Sequence, residues 1–130
     1  MATELTLKVP NRAGQLAAIS TALGDAGVNI ASLAGSTLGG KGLVHIVVAD
    51  KDAARARRAL KKAKLRVASD RKLLEVRLSD KPGSLARIAG RLAKGRVNVD
   101  SAYVTGTGKR STTIGFSVKD ARKAKKALGR

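Results

Sequence analysis

The chain has no cysteine, no tryptophan, one histidine, two prolines, one tyrosine and one phenylalanine among its 130 residues. Without cysteine there is no disulfide and no thiolate metal site. One histidine and nine carboxylates leave little material for a zinc centre or for general acid–base chemistry. Ser20, Ser32, Ser84 and Ser101 have no histidine and aspartate partners in any triad-like pattern, which argues against a hydrolase. No catalytic residue, metal or cofactor is expected. No apolar run approaches the roughly 20 residues that a membrane-spanning helix needs, and no signal peptide heads the chain. The sequence reads as that of a cytoplasmic protein with no membrane partner. Negative charge is scarce as well. Lys and Arg number 27 against 9 Asp and Glu, a formal net charge of +18. Residues 1–70 hold 11 basic and 5 acidic side chains; residues 71–130 hold 16 and 4. Such a field draws polyanions and small anions alike.

What is present is a repeat. The string V-P-N-R-A-G-Q-L-A-A-I at 9–19 returns 69 residues later as L-S-D-K-P-G-S-L-A-R-I at 78–88. At that offset Leu5/Leu74, Gly14/Gly83, Leu16/Leu85, Ile19/Ile88, Leu23/Leu92, Val28/Val97 and Asn29/Asn98 are identical. Beyond Gly39/Gly108 an offset of 68 sets Ile46 against Ile114, Ala56 against Ala124 and Leu60 against Leu128. The one-residue change is expected in the glycine-rich hairpin. Register at a fixed period means one supersecondary unit used twice. The chain therefore divides into modules at 1–70 and 71–130. Units this small bury little core alone, so they should pack on each other or on a second chain, and a homodimer is expected.

Each copy reads strand, helix, strand, strand, helix. Leu5, Leu7 and Val9 alternate with polar residues, as do Leu74, Val76 and Leu78. Leu16, Ile19 and Leu23 fall at helical spacing, as do Leu85, Ile88 and Leu92. Gly27 and Gly95 suit left-handed caps at the ends of these helices. Val28 to Gly35 and Val97 to Thr105 read as second strands, Leu43 to Ala49 and Thr112 to Val118 as third strands. Ala53 to Lys64 and Ala121 to Leu128 are alanine-rich, basic helices. Leu65 to Ser69 supplies a fourth strand in the first copy only. The fold class is α+β: two ferredoxin-like βαββαβ modules in tandem, the second lacking its last strand. The first copy's outer sheet face carries Leu43, His45 and Val47; the second's carries Thr113, Gly115 and Ser117. The apolar face should pack against something.

A strand, then N/D-x-x-G-x-L, a helix and V-N-I: in these residues the sequence resembles the ACT domain family. The second copy, Asp80-Lys81-Pro82-Gly83-Ser84-Leu85 with Val97-Asn98-Val99, fits more closely. The first has Ala13 where the family usually has proline, but Asn11, Gly14, Leu16 and Asn29 fit. The resemblance implies a βαββαβ module that binds small molecules, most often amino acids, with no enzyme domain attached. It also implies that the loop Asn or Asp and the Asn of V-N-I hold the ligand across an interface between two modules.

The residues carry their own chemistry. Glycine permits a sharp turn and leaves the backbone open to a ligand. The following helix start offers free N–H groups and a positive dipole end, a place for a carboxylate. The ligand site is therefore expected at Asn11, Arg12, Ala13, Gly14, Gln15 and Leu16, and at Asp80, Lys81, Pro82, Gly83, Ser84 and Leu85. Asn29 with Ile30, and Asn98 with Val99, should face it. Asn11 and Asp80 serve equally well as helix N-caps. Asn29 and Asn98 serve equally well as turn-closing groups. Arg12 and Lys81 read first as solvated cations and second as attractors of an anionic ligand.

Basic stripes run along the helices: Arg55, Arg57, Arg58, Lys61, Lys62 and Lys64; Arg87, Arg91 and Lys94; Arg122, Lys123, Lys125 and Lys126. They read as solvated faces or as a phosphate-binding surface. The RNA-recognition mode of a βαββαβ sheet needs aromatic rings on its strands, and here Phe116 falls on the helix side. Any nucleic-acid binding should be weak and without sequence preference. The reading is an amino-acid-binding regulatory or sensor protein. Its rivals are a nucleic-acid-binding protein and an adaptor that docks on a metabolic enzyme.

Overall fold

The computed structural model describes residues 2–130, which fall into two compact units, one up to Asp70 and one from Arg71 to Arg130. The first runs β1 (Ala2–Pro10), α1 (Gln15–Asp25), β2 (Ser32–Leu38), β3 (Lys41–Ala49), a 3-10 turn (Asp50–Asp52) and α2 (Ala53–Lys62). A long strand β4 (Val67–Ser79) carries the boundary, residues 67–70 falling in the first unit and 71–79 in the second. The second unit continues with α3 (Ser84–Lys94), β5 (Ser101–Gly108), β6 (Ser111–Ser117) and α4 (Ala121–Ala127). Within the first unit β3 lies between β2 and β1; within the second β6 lies between β5 and β4. All these pairings are antiparallel, and each unit is a ferredoxin-like module.

Alternation on the strands and helical spacing on the helices meet in one core per unit. Leu5, Leu7 and Val9 of β1, Ile46 and Val48 of β3, Ile19 and Leu23 of α1, and Ala53, Ala56 and Leu60 of α2 form the first. Leu74 and Val76, Ile114 and Phe116, Ile88 and Leu92, with Ala124 and Leu128, form the second. Phe116 is on the helix side, as its place in the repeat implies. On the outer face Val47 is only 1 % exposed, so the apolar face of the first copy is not open to solvent there.

Four features differ from the sequence reading. First, V-N-I and V-N-V are loop, and the strands start at Ser32 and Ser101. The Val28 N–H is bonded to the Leu23 carbonyl at 2.9 Å, and the Val97 N–H to Leu92 at 2.9 Å. These bonds close the preceding helices, so the two valines belong to helix caps and not to the ladder. Second, Gly27 is left-handed (φ 72), but its counterpart is Arg96 (φ 58), not Gly95 (φ −80). Gly95 is needed for space. A Cβ there would lie 2.6 Å from the Ala127 Cβ, where the end of α3 crosses α4.

Third, the repeat slips elsewhere than in the hairpin. Both hairpins turn on two residues, 39–40 and 109–110. A bulge between Val104 and Gly106 adds a residue to β5. Leu5 opposes Ile46 and Leu74 opposes Phe116, so Ile46 corresponds to Phe116, an offset of 70. The connection from β6 to α4 lacks the 3-10 turn and restores 68. An error of two residues leaves every strand side chain on its expected face, because the strand period is two. Fourth, the extra strand of the first copy starts at Val67, not Leu65, and continues unbroken into the first strand of the second copy. The 67–79 segment carries no proline or glycine to break it.

Candidate functional site

The two glycine loops are built alike. Gly14 (φ 92, ψ −10) and Gly83 (φ 87, ψ −10) sit left-handed at the starts of α1 and α3. That conformation turns the strand into the helix within a few residues and favours glycine. The Asn11 N–H bonds the Gly40 carbonyl (3.1 Å) and the Asp80 N–H the Arg110 carbonyl (3.0 Å), which pins each loop to the tip of its unit's hairpin. Neither helix start has a side-chain cap. The expected N-cap role of Asn11 and Asp80 is therefore not taken up: the left-handed glycine occupies the cap position and carries no side chain. Both side chains are exposed.

In the first unit this loop borders a cleft of about 480 Å³. Asn11, Arg12, Gln15 and Leu16 line one wall. Leu33, Gly35, Ser36 and Thr37 of β2, with Leu43 and Val44 of β3, line the other. Leu16 and Leu33 are each about half exposed at its mouth, 50 % and 45 %. The volume falls in the range of small-molecule sites. The cleft joins a cation (Arg12), two hydroxyls (Ser36, Thr37), two amides (Asn11, Gln15) and an apolar wall beside an uncapped helix start. That set takes a carboxylate at the positive end and an apolar or small polar group at the other. Among the described residues no cluster of three or more His, Cys, Asp or Glu is arranged to hold a metal, and no helix is long and apolar enough to cross a membrane.

Of the residues singled out from sequence, the structure gathers Asn11, Arg12, Gln15 and Leu16 in this cleft; Asn29 and Ile30 do not line it. Ala13 and Gly14 form the turn behind it, both exposed. In the second unit Asp80, Lys81, Pro82, Gly83 and Leu85 are exposed and Ser84 is buried. The two asparagines of V-N-I/V differ. Asn98 Nδ2 donates to Asp100 Oδ1 at 3.2 Å, and Asp100 also pairs with Arg71. Asn98 lines with Arg96, Lys119 and Asp120 a hollow of about 320 Å³ beside α4. The residue in the place of Asp100 in the first copy is Ala31, so Asn29 lacks that acceptor and is exposed. Ser36, Thr37 and Leu33 went unmarked in the sequence, and Leu43 was read only as part of the outer sheet face. Their signal was topological: a hairpin strand next to the glycine loop, once its tip is bonded to Asn11.

Comparison with known proteins agrees with this architecture. The protein-family model "ACT domain" matches twice, at residues 3–64 and 72–130. Protein BT0572 from Bacteroides thetaiotaomicron superposes with a TM-score of 0.82 at 21% identity, over 98% of this chain and 85% of that one. The ligand-free regulatory subunit of aspartate kinase from Thermus thermophilus gives 0.73 at 17% identity, over 98% and 90%. The aspartate kinase from Synechocystis gives 0.68 at 20% identity, with 24% of that longer chain covered. No curated protein matches this chain in sequence. Two family matches that together span nearly all of the chain, on two ferredoxin-like modules with matching glycine loops, place this protein in the ACT domain family.

Proposed function

We propose that this protein is a small-molecule sensor that binds an amino acid and passes the binding on as a regulatory signal, with no catalytic activity of its own. The observation that carries the reading is the cleft beside the first glycine loop. The N–H groups at the start of α1 and the Arg12 guanidinium receive the carboxylate. Asn11, Gln15, Ser36 and Thr37 supply acceptors for the ammonium. Leu16, Leu33 and Leu43 cover the side chain. The second loop is a further site: its exposed Asp80, with Lys81 and the Gly83–Leu85 backbone, favours the ammonium more than Asn11 does, so the two sites differ in affinity.

The protein acts as a cytoplasmic homodimer in this reading. β2 is a sheet-edge strand whose seven residues, S-L-A-G-S-T-L, include no charge and no proline. An edge without such guards invites another strand. A second copy seated there would bring a further module, with its Asn29, to the cleft that β2 lines.

A thermal-shift screen of the twenty amino acids, followed by calorimetry on the best, tests the reading. Binding to the folded state alone raises the melting temperature, by RT ln(1 + [L]/Kd) in free energy. One or a few amino acids should do so, and Arg12→Gln should abolish most of the shift. A flat screen across all twenty would refute it.

A further inference from the structure

The helix α2 has the sequence A-A-R-A-R-R-A-L-K-K, with no acidic residue. Ala53, Ala56 and Leu60 face the core, so the remaining faces are largely cationic. Arg57 and Lys61, and Arg58 and Lys62, are four apart; Arg55 and Arg58, and Arg58 and Lys61, are three apart. Like charges at these spacings repel. A face kept only for solubility would mix its signs at no such cost.

Beyond the helix the pattern continues into a groove of about 510 Å³. Its walls are Arg57, Lys61, Lys64 and Arg66 with one carboxylate, Asp70, and its floor is the half-buried Leu65 and Val67. Arg57 is fixed by both carboxylate oxygens of Asp70, whose hydrogen bond raises the guanidinium pKa above its ordinary value. Among the described residues no carboxylate pairs with Arg58, Lys61, Lys62, Lys64 or Arg66. Lys64 is left-handed at φ 60, a place where glycine would be unstrained. A cation is thus held at the rim of the groove at a conformational cost.

We infer that the α2–β4 groove of the first unit docks the phosphate backbone of duplex nucleic acid, without reading its bases. Arg57 and Lys61 stand about 6 Å apart on one face of α2 at 1.5 Å per residue, and Lys64 follows just past the helix end. Each strand of a duplex presents one phosphate per ~3.4 Å of helix axis, so cations spread over this distance meet about two of them. A polymer of uniform charge satisfies a row of one sign whatever its sequence, whereas an acidic polypeptide must place its carboxylates to match. The groove is lined by no aromatic residue, which removes stacking of single-stranded bases there. The groove offers no Asn or Gln to read a base edge. This surface is separate from the glycine-loop cleft and stands whether or not an amino acid binds there.

Fluorescence anisotropy of a random 20-base-pair DNA duplex, titrated with the full-length chain at several salt concentrations, tests the inference. The triple variant Lys61→Gln, Lys64→Gln, Arg66→Gln should bind at least tenfold more weakly at 0.1 M salt. Its log–log salt slope should flatten by about 2 to 3, near 0.9 for each phosphate no longer neutralised. Its melting temperature should stay within a few degrees of the parent's, since all three side chains are exposed and only Lys61 lies in the helix, where glutamine has about the same propensity as lysine. Lys64→Gly relieves the left-handed turn and should flatten the slope by about 0.9 with the fold intact. Responses to amino acids should be unchanged in both. The matched triple Lys119→Gln, Lys125→Gln, Lys126→Gln carries the same charge change in the second unit and should weaken binding less. Equal loss in the two triples, no binding by the parent at 50 mM salt, or displacement of the duplex by polyglutamate at equal charge would each overturn the inference.

Discussion

Gly95→Ala sets helix propensity against packing. Gly95 closes α3 at φ −80 and ψ 4, a conformation open to alanine. On backbone grounds alone the change should stabilise by about 0.4–1 kcal/mol, through lower entropy of the unfolded chain. The added methyl, however, would stand 2.6 Å from the Ala127 Cβ and 3.6 Å from its Cα. Carbon atoms rest at about 3.5–4.0 Å, so α4 would have to retreat by roughly 1 Å. The obstacle is a short side chain bound to helix backbone and has no rotamer to yield. Overpacking of this kind costs about 1–3 kcal/mol. The net expectation is a loss of about 1–2 kcal/mol. At about 4–8 °C per kcal/mol for a unit of this size, the melting temperature should fall by roughly 4–16 °C. Thermal unfolding followed by circular dichroism measures it. Adding Ala127→Gly removes the opposing methyl, so the double variant should lose less than the two single losses combined, a coupling that a double-mutant cycle reads directly. A Gly95→Ala protein that melts higher than the parent would show that the close approach does not constrain α3 and α4.

The opposite pairing holds at the left-handed cap. Gly27→Ala has open space around its Cβ, yet φ 72 should cost about 1 kcal/mol, while Arg96→Gly should gain a similar amount; denaturant midpoints separate the two signs. Asp120 Oδ1 accepts the Lys123 N–H at 3.0 Å at the start of α4, so Asp120→Ala should destabilise by about 0.5–2 kcal/mol in a urea titration. Asp70→Asn should change stability by less than about 1 kcal/mol, because the Arg57–Asp70 pair is 44 % and 38 % exposed; a larger loss would mean that the pair also fixes the turn after α2. Asn11→Ala and Asn29→Ala should each weaken amino-acid binding up to about tenfold by calorimetry without lowering the melting temperature; unchanged affinity in the double variant would remove both from the site.

Much of the fold was legible in one dimension because it was written twice. Strand alternation at Leu5, Leu7 and Val9, helical spacing at Ile19 and Leu23, and their copies 69 residues on report which side chains leave water, a local property of the chain, although Leu16 and Leu85 keep the same spacing and stand half exposed. The glycine loops were legible for the same reason: a left-handed turn selects its residue type wherever it stands. The roles that depend on a distant neighbour were not. Whether Gly95 supplies a left-handed φ or makes room is decided by Ala127, 32 positions away and on another helix. Asn98 donates to Asp100 and Asn29 has no such neighbour, since the matching position holds Ala31. Asn11 and Arg12 face a cleft only because β2 and β3 bring Ser36, Thr37 and Leu43 against them. Backbone conformation and burial are selected residue by residue, so the sequence determined them by itself. The partner of a side chain exists only after the chain has closed on itself, and that is what tertiary structure alone decided.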